Sequence, residues 1–312
     1  MSGPAVTEAS PSPEIRRLLT YAALAFLALL VIYALAVQTE LGQRLDQAAF
    51  NGGTAAPLRA QEAAGRLLRT VSVGGLVIGI LVLGGVAAPR RRPALILVPA
   101  AVIGLTMISA EILKHLLLDR PELLAQPLFT ENTYPSGHTA TAISTGLAAL
   151  LVAPPRLRAP VAALAFIGAA GFGVFVVTAG WHLPSDALGS YALALTVSCL
   201  VMAVVYKVSP ATMRRERAAD ELLPGDVVAG RLELAGLGAA IVFFFGVIVF
   251  ASLRYGPQID WTRIDAAYLG AMAVTVFAAA LTVSSLLRAI SPAPAPDRGR
   301  GARRDSVSPP PG

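Results

Sequence analysis

The sequence predicts an all-α, polytopic membrane bundle of about eight transmembrane helices. Three observations predict it. Hydrophobic residues make up 55% of the 312 residues and charged residues only 14%, with a mean hydropathy of +0.66, too apolar for a soluble chain of this length. Uncharged runs of the length needed to cross a roughly 30 Å hydrocarbon core, about 20 residues, recur along the chain. Basic residues alternate in density between successive connecting segments, as membrane topology requires.

The long runs are Leu18 to Val37, Thr70 to Ala88, Pro93 to Ala110, Pro160 to Trp181, Ala187 to Tyr206, Leu234 to Leu253 and Ala266 to Leu287. A shorter one, Gly137 to Ala153, is required as well, because without it the sidedness of everything that follows would reverse. The first span lacks a small-residue cleavage site and reads as a retained anchor. Between the first two spans, Gln38 to Arg69 is polar with apolar residues at Leu41, Leu45, Leu58 and Leu67, the pattern of a partly interfacial helix. Lys207 to Arg231 reads as a cytoplasmic linker, so the last two spans form an added helical pair. Residues Met1 to Pro13 and Ser291 to Gly312, rich in Pro, Ser, Gly and charge, are expected to be disordered. The single Cys199 lies mid-span and is expected only to pack. Trp181, Tyr134, Tyr255 and Trp261 are expected to be belt aromatics at the interface.

With the N-terminus cytoplasmic, seventeen of the 25 basic residues fall on inside segments, including Arg90 to Arg92, Arg156, Arg158, Arg214, Arg215 and Arg217. The opposite orientation inverts that pattern at every short loop. Both termini are therefore expected inside. All three histidines, His115, His138 and His182, then fall at the outer ends of spans.

Two polar clusters stand out there: Tyr134-Pro135-Ser136-Gly137-His138 and Trp181-His182-Leu183-Pro184-Ser185-Asp186. Ionisable groups beside hydrocarbon are costly to hold, so a set able to converge on one face marks a functional site. A histidine followed four residues later by an aspartate at a helix start suits a nucleophile or base whose second ring nitrogen is held by a carboxylate. Lys114, Arg120, the Ser136 hydroxyl and the backbone amides from Gly137 are the donors that a phosphoryl group requires. The pattern reads as phosphoryl transfer. No glycine-rich phosphate loop, zinc-type His pair or Asp-x-Asp pair competes with it.

At these residues the chain resembles the type 2 phosphatidic acid phosphatase family, the membrane-embedded lipid phosphate phosphatases. Pro135-Ser136-Gly137-His138 matches the family's middle signature, and His182 followed after three residues by Asp186 matches the end of its third. The resemblance covers about Leu18 to Tyr206. It implies a six-helix phosphatase core at 14–206; composition and the runs place around that core a disordered segment at 1–13, a linker at 207–232, a two-helix hairpin at 233–288 and a basic tail at 289–312. It also implies His182 as the nucleophile forming a phosphohistidine, Asp186 as its orienting partner and His138 as the acid that protonates the departing lipid oxygen. Lys114, Arg120, Ser136 and Gly137 would bind the phosphate. Neither a metal nor another cofactor is expected, nor a nucleic-acid partner.

Two departures accompany the resemblance. Five residues rather than six separate Lys114 from Arg120-Pro121. The Ser-Arg pair of the third signature falls at Phe175 and Val176, so an apolar residue replaces one phosphate-binding arginine. Losing such a charge-assisted donor costs a few kcal/mol, which weakens the expectation of activity unless another cation substitutes. His115 matches no signature, and Glu111 is expected to pair with it or with Lys114. Ser185 or Asp186 could instead be an ordinary N-cap of the span that follows.

The expected substrate is an isoprenoid or glycerolipid phosphate or pyrophosphate, approached from the outer leaflet. The bias to Arg over Lys and to Ala and Gly points to a bacterial plasma membrane, and so to an envelope-building polyprenyl carrier. Two other classes remain open: a phosphotransferase using the same phosphohistidine, and a non-catalytic lipid-binding or transport protein. The latter is favoured by Val176 and by the two added spans, and disfavoured by the nearly uncharged span interiors.

Overall fold

The computed structural model describes residues 11–54, 57–69, 73–88, 93–211, 225–255 and 263–291. Helix α1 (Pro13–Ile32) starts at an N-cap serine, Ser12, whose hydroxyl accepts from the Ile15 amide at 3.4 Å, with Pro13 preset for the first turn. It continues as a π turn through Val37. Two short helices follow, α2 (Glu40–Thr54) and α3 (Leu58–Leu68), and then α4 (Val73–Ala87). A single turn at Pro93–Ile96 leads into α5 (Val98–Ile112), which ends in a π turn, Leu113–Leu117. After a long loop come α6 (Gly137–Val152), α7 (Arg158–Thr178), α8 (Pro184–Val208), α9 (Gly225–Tyr255) and α10 (Arg263–Ile290).

Among the described residues six helices are long and apolar enough to cross a membrane: Pro13–Val37, Ala94–Leu117, Arg158–Thr178, Pro184–Val208, Gly225–Gly246 and Ala266–Ile290. Two more apolar helices, Leu76–Ala87 and Gly137–Val152, are shorter. The expected eight spans thus resolve into six of crossing length and two short ones, in a helical polytopic membrane bundle. Of the expected disordered ends, residues 1–10 and 292–312 lie outside the described residues, as do Arg90 to Arg92, Arg214, Arg215, Arg217, Trp261 and the side chain of Tyr255, whereas Ser12 and Pro13 already form the start of α1 and Ser291 is buried.

Helix α8 is the axis of the bundle. It packs against α1, α5, α6 and α10, and 83% of its most apolar window is buried. Small residues make this possible: Gly189 lies so close to Tyr134 that a β-carbon there would meet the ring at 2.4 Å. Cys199 sits fully buried in the same core. The shorter α6 lies between α5, α7 and α8, which carries its first turn into the polar end of the bundle.

Helix α10 packs on α2, α7 and α8 as well as on α9, and the Tyr268 hydroxyl meets that of Thr178 at 2.9 Å. Glu233 of α9 accepts from Ser284 at 2.7 Å and from the guanidinium of Arg288, at 2.8 Å for Nη2. Helix α9 begins at Gly225, so Arg231 belongs to it and not to the preceding connection.

The amphipathic stretch forms helices with their leucines turned outward. Leu41 is 69% exposed and Leu45 59%, while Gln43, Asp46, Ala49 and Phe50 face the bundle. In a membrane protein the outer surroundings are themselves apolar, so the polar stripe is the one that needs protein partners. Tyr134, expected at the interface, is instead fully buried, with its hydroxyl donating to the Leu29 carbonyl at 2.7 Å. A phenol in that position is satisfied by a backbone acceptor rather than by water.

Candidate active site

The site lies where the starts of α6 and α8 meet. Ser136 is the N-cap of α6, its hydroxyl accepting from the Thr139 amide at 3.3 Å. Its own amide donates to the Asp186 carbonyl at 3.0 Å. Ser190, one turn into α8, donates to the carbonyls of both Ser136 and Asp186 at 2.8 Å. The two helix starts are thereby locked together, and His138, two residues after the Ser136 cap, faces His182, the residue just before the Leu183 cap. Their ring centroids are 6.4 Å apart. That separation excludes a direct hydrogen bond and leaves room for one phosphoryl group. Trp181 meets His138 edge-on at 5.0 Å, closing one side.

Asp186 is completely buried and holds three groups. Its Oδ2 lies 3.1 Å from Nδ1 of His182 and accepts from the Leu183 amide at 3.1 Å, and its Oδ1 pairs with Nη2 of Arg120 at 3.3 Å. Leu183 is therefore the N-cap of α8, and neither Ser185 nor Asp186 is. Asp186 reaches back from the first turn to satisfy the cap amide, as an acidic residue at that position does. Where Nδ1 of His182 carries the proton it donates to Asp186, and Nε2 then keeps its lone pair.

The expected phosphate ligands take different positions. Lys114 stands beside the start of α6: a β-carbon on Gly137 would lie 3.9 Å from its Nζ and 3.5 Å from Oε1 of Glu111. Glu111 bridges both of its predicted partners, Lys114 Nζ at 3.2 Å and His115 Nε2 at 3.1 Å. His115 is exposed and joins this pairing only. Arg120 is buried and aimed at Asp186, and among the described residues its Nε–H has no partner. The Ser136 hydroxyl is buried and accepts as a cap, which leaves its O–H as a donor.

Val176 is fully buried among Leu68, Ala187 and Met272. Its carbonyl accepts from the amides of Trp181 at 2.9 Å and His182 at 3.1 Å, which shapes the turn presenting His182. Gly180, at φ 73°, takes the left-handed step in that turn. The position expected for arginine thus serves the fold through its backbone, while its side chain is core.

Residues 94–210 match the family model described as the PAP2 superfamily. This stretch of the chain is similar to the PAP2 superfamily. No curated protein and no solved structure matches the chain. The matched segment is shorter than the Leu18 to Tyr206 expected from the resemblance, and it leaves α1 to α4, α9 and α10 outside. It contains all seven expected site residues: Lys114, Arg120, Ser136, Gly137, His138, His182 and Asp186.

Two residues without a signal in the motifs lie close to the candidate site. Asn132 donates from its amide to the carbonyls of Leu118 at 2.9 Å, Tyr134 at 3.2 Å and Lys114 at 3.3 Å, and accepts from the Tyr134 amide at 3.0 Å. It ties the loop before Pro135 to the turn bearing Lys114. Asp46 accepts from the Ser185 amide at 3.1 Å and from its hydroxyl, next to Asp186. Burial, reinforced by the nearby Asp186 charge, pushes the Asp46 carboxyl up to about 7. The signal for Asp46 was its spacing from Gln43, Ala49 and Phe50 along one helix face.

Proposed function

We propose that the chain hydrolyses a lipid phosphate or pyrophosphate at the extracytoplasmic membrane face, through a phosphohistidine on His182. The observation that carries this reading is the pair of facing imidazoles, with the buried Asp186 behind only one of them. That asymmetry supports opposite roles: His182, held by Asp186, as nucleophile, and His138, without a carboxylate, as acid and then base.

In the first step Nε2 of His182 attacks phosphorus and the bond from phosphorus to the lipid oxygen breaks, the oxygen taking a proton from His138. In the second, His138 takes a proton from water, the oxygen of that water attacks phosphorus and the P–N bond breaks. Phosphate leaves and both histidines return to their starting states. Lys114, the amides at the start of α6 and the free Nε–H of Arg120 suit the non-bridging oxygens. The excess of basic residues on the opposite side supports an outward-facing site and cytoplasmic termini. The composition supports a bacterial plasma membrane and an isoprenoid or glycerolipid substrate.

The test is phosphate release by detergent-purified protein from a panel of lipid phosphates and pyrophosphates. Wild type should act on at least one, with His182→Ala and His138→Ala reduced to background. Equal background rates in all three would sink the reading, and transfer to an added lipid or sugar alcohol in preference to water would mark a phosphotransferase.

A further inference from the structure

The segment that matches the family model does not hold the proposed nucleophile in place unaided. Helix α2, which lies outside that segment, reaches both ends of the Arg120–Asp186 pair. Gln43 donates from its amide to the Pro121 carbonyl at 2.7 Å, directly after Arg120, and to the Val37 carbonyl at 2.8 Å, which closes the turn from α1. One turn later Asp46 accepts both donors of Ser185, directly before Asp186. Both side chains are buried. Asp46 also borders an apolar groove of about 700 Å3 lined by Leu41, Leu45, Leu188 and Val274, so away from Ser185 its surroundings resemble hydrocarbon. In such surroundings a carboxyl and two donors hold one another strongly, because the alternative partner, water, is scarce.

We infer that Asp46, with Gln43, is a positioning residue for the nucleophile: it seats the first turn of α8 so that Asp186 keeps its bonds to His182 and Arg120. The chain of contacts runs from Asp46 to Ser185, along one peptide to Asp186, and from its carboxylate to Nδ1 of His182. Nothing in it touches the reacting phosphorus. Its consequence is the tautomer of His182, which must carry its proton on Nδ1 to leave Nε2 free. The role in turnover rests on the proposed phosphatase reading, whereas the tautomer does not.

The experiment uses the full chain in detergent with 15N-labelled histidine, comparing wild type, Asp46→Ala and Asp46→Asn. The His182 ring is assigned by its loss in His182→Gln. The wild type should show the Nδ1–H tautomer alone. Asp46→Ala should mix in the Nε2–H form and lose about tenfold or more in kcat with KM little changed, as misplacement of a reacting group does. Asp46→Asn keeps an acceptor for Ser185 and should recover most of both. A wild-type tautomer and kcat in Asp46→Ala, even with a lowered thermal midpoint, would overturn the inference and leave Asp46 a structural brace. Should Asp46→Ala fail to fold, Ser185→Ala deletes one of the two donors, and an unchanged tautomer there counts against the inference in the same way. If the wild type releases no phosphate, the hydrolase reading fails, and the tautomer alone decides for or against Asp46.

Discussion

Nδ1 of His182 lies 3.1 Å from Oδ2 of Asp186, a carboxylate with no exposure to solvent, and the two residues stand one helical turn apart at the start of α8. His138, 6.4 Å away across the site, has Trp181 against its ring and, among the described residues, no carboxylate partner. The two histidines thus differ in what stands behind them, and the proposed reaction uses that difference.

Asp186→Asn should therefore lower kcat by roughly 10² or more, because a carboxamide no longer dictates which nitrogen of His182 carries the proton. KM should change little, since Asp186 itself touches no phosphate. Phosphate release against lipid concentration separates the two constants, and an unchanged kcat would refute the orienting role.

Restoring the arginine of the third signature should fail. Val176 is fully buried among apolar side chains, so Val176→Arg must bury an unpaired charge or displace Leu68, Met272 and Ala187. The expected result is a lower thermal midpoint in detergent and no gain in activity. A more active, equally stable variant would show that the guanidinium reaches the site.

Gly189 and Tyr134 should tolerate no added methyl between them. A β-carbon at Gly189 would meet the Tyr134 ring at 2.4 Å, and Tyr134 is pinned by its bond to Leu29 and by its neighbour Pro135. Gly189→Ala should cost about 1–3 kcal/mol of stability, the usual penalty of overpacking a core. Because the displaced ring adjoins Ser136 and His138 in the chain, activity should fall with it, whereas Gly168→Ala, at a position with open space, should leave both unchanged.

Asp46 should make the protein less stable as pH rises. Its carboxyl titrates near 7 when folded and near 4 when unfolded, facing Asp186, which raises it further, and Arg120, which lowers it. Between those values the folded state binds the extra proton, so stability falls with increasing pH. The contribution is fully present below about pH 4 and gone above about pH 7. Thermal midpoints across that window should fall more steeply for wild type than for Asp46→Asn, and parallel curves would contradict this.

The sequence by itself determined the class, the approximate spans and the two polar clusters that hold the candidate residues. Those properties are local: a run of apolar residues declares its own need for hydrocarbon, and Pro135 to His138 and His182 to Asp186 each fit within a helix start. Even the pairing of Glu111 with Lys114 and His115 was legible, because residues three and four apart share a helix face. What only the tertiary structure decided was which polar groups meet across elements. Arg120 meets Asp186 through Nη2, Tyr134 lies in the core and not at the interface, and Asp46 of α2 meets Ser185 in the first turn of α8. In each case a buried polar group without water took the nearest partner that packing offered, and packing depends on residues far apart in the chain. The outward leucines of α2 make the same point, since hydrocarbon outside a membrane protein lets the polar stripe, and not the apolar one, face in.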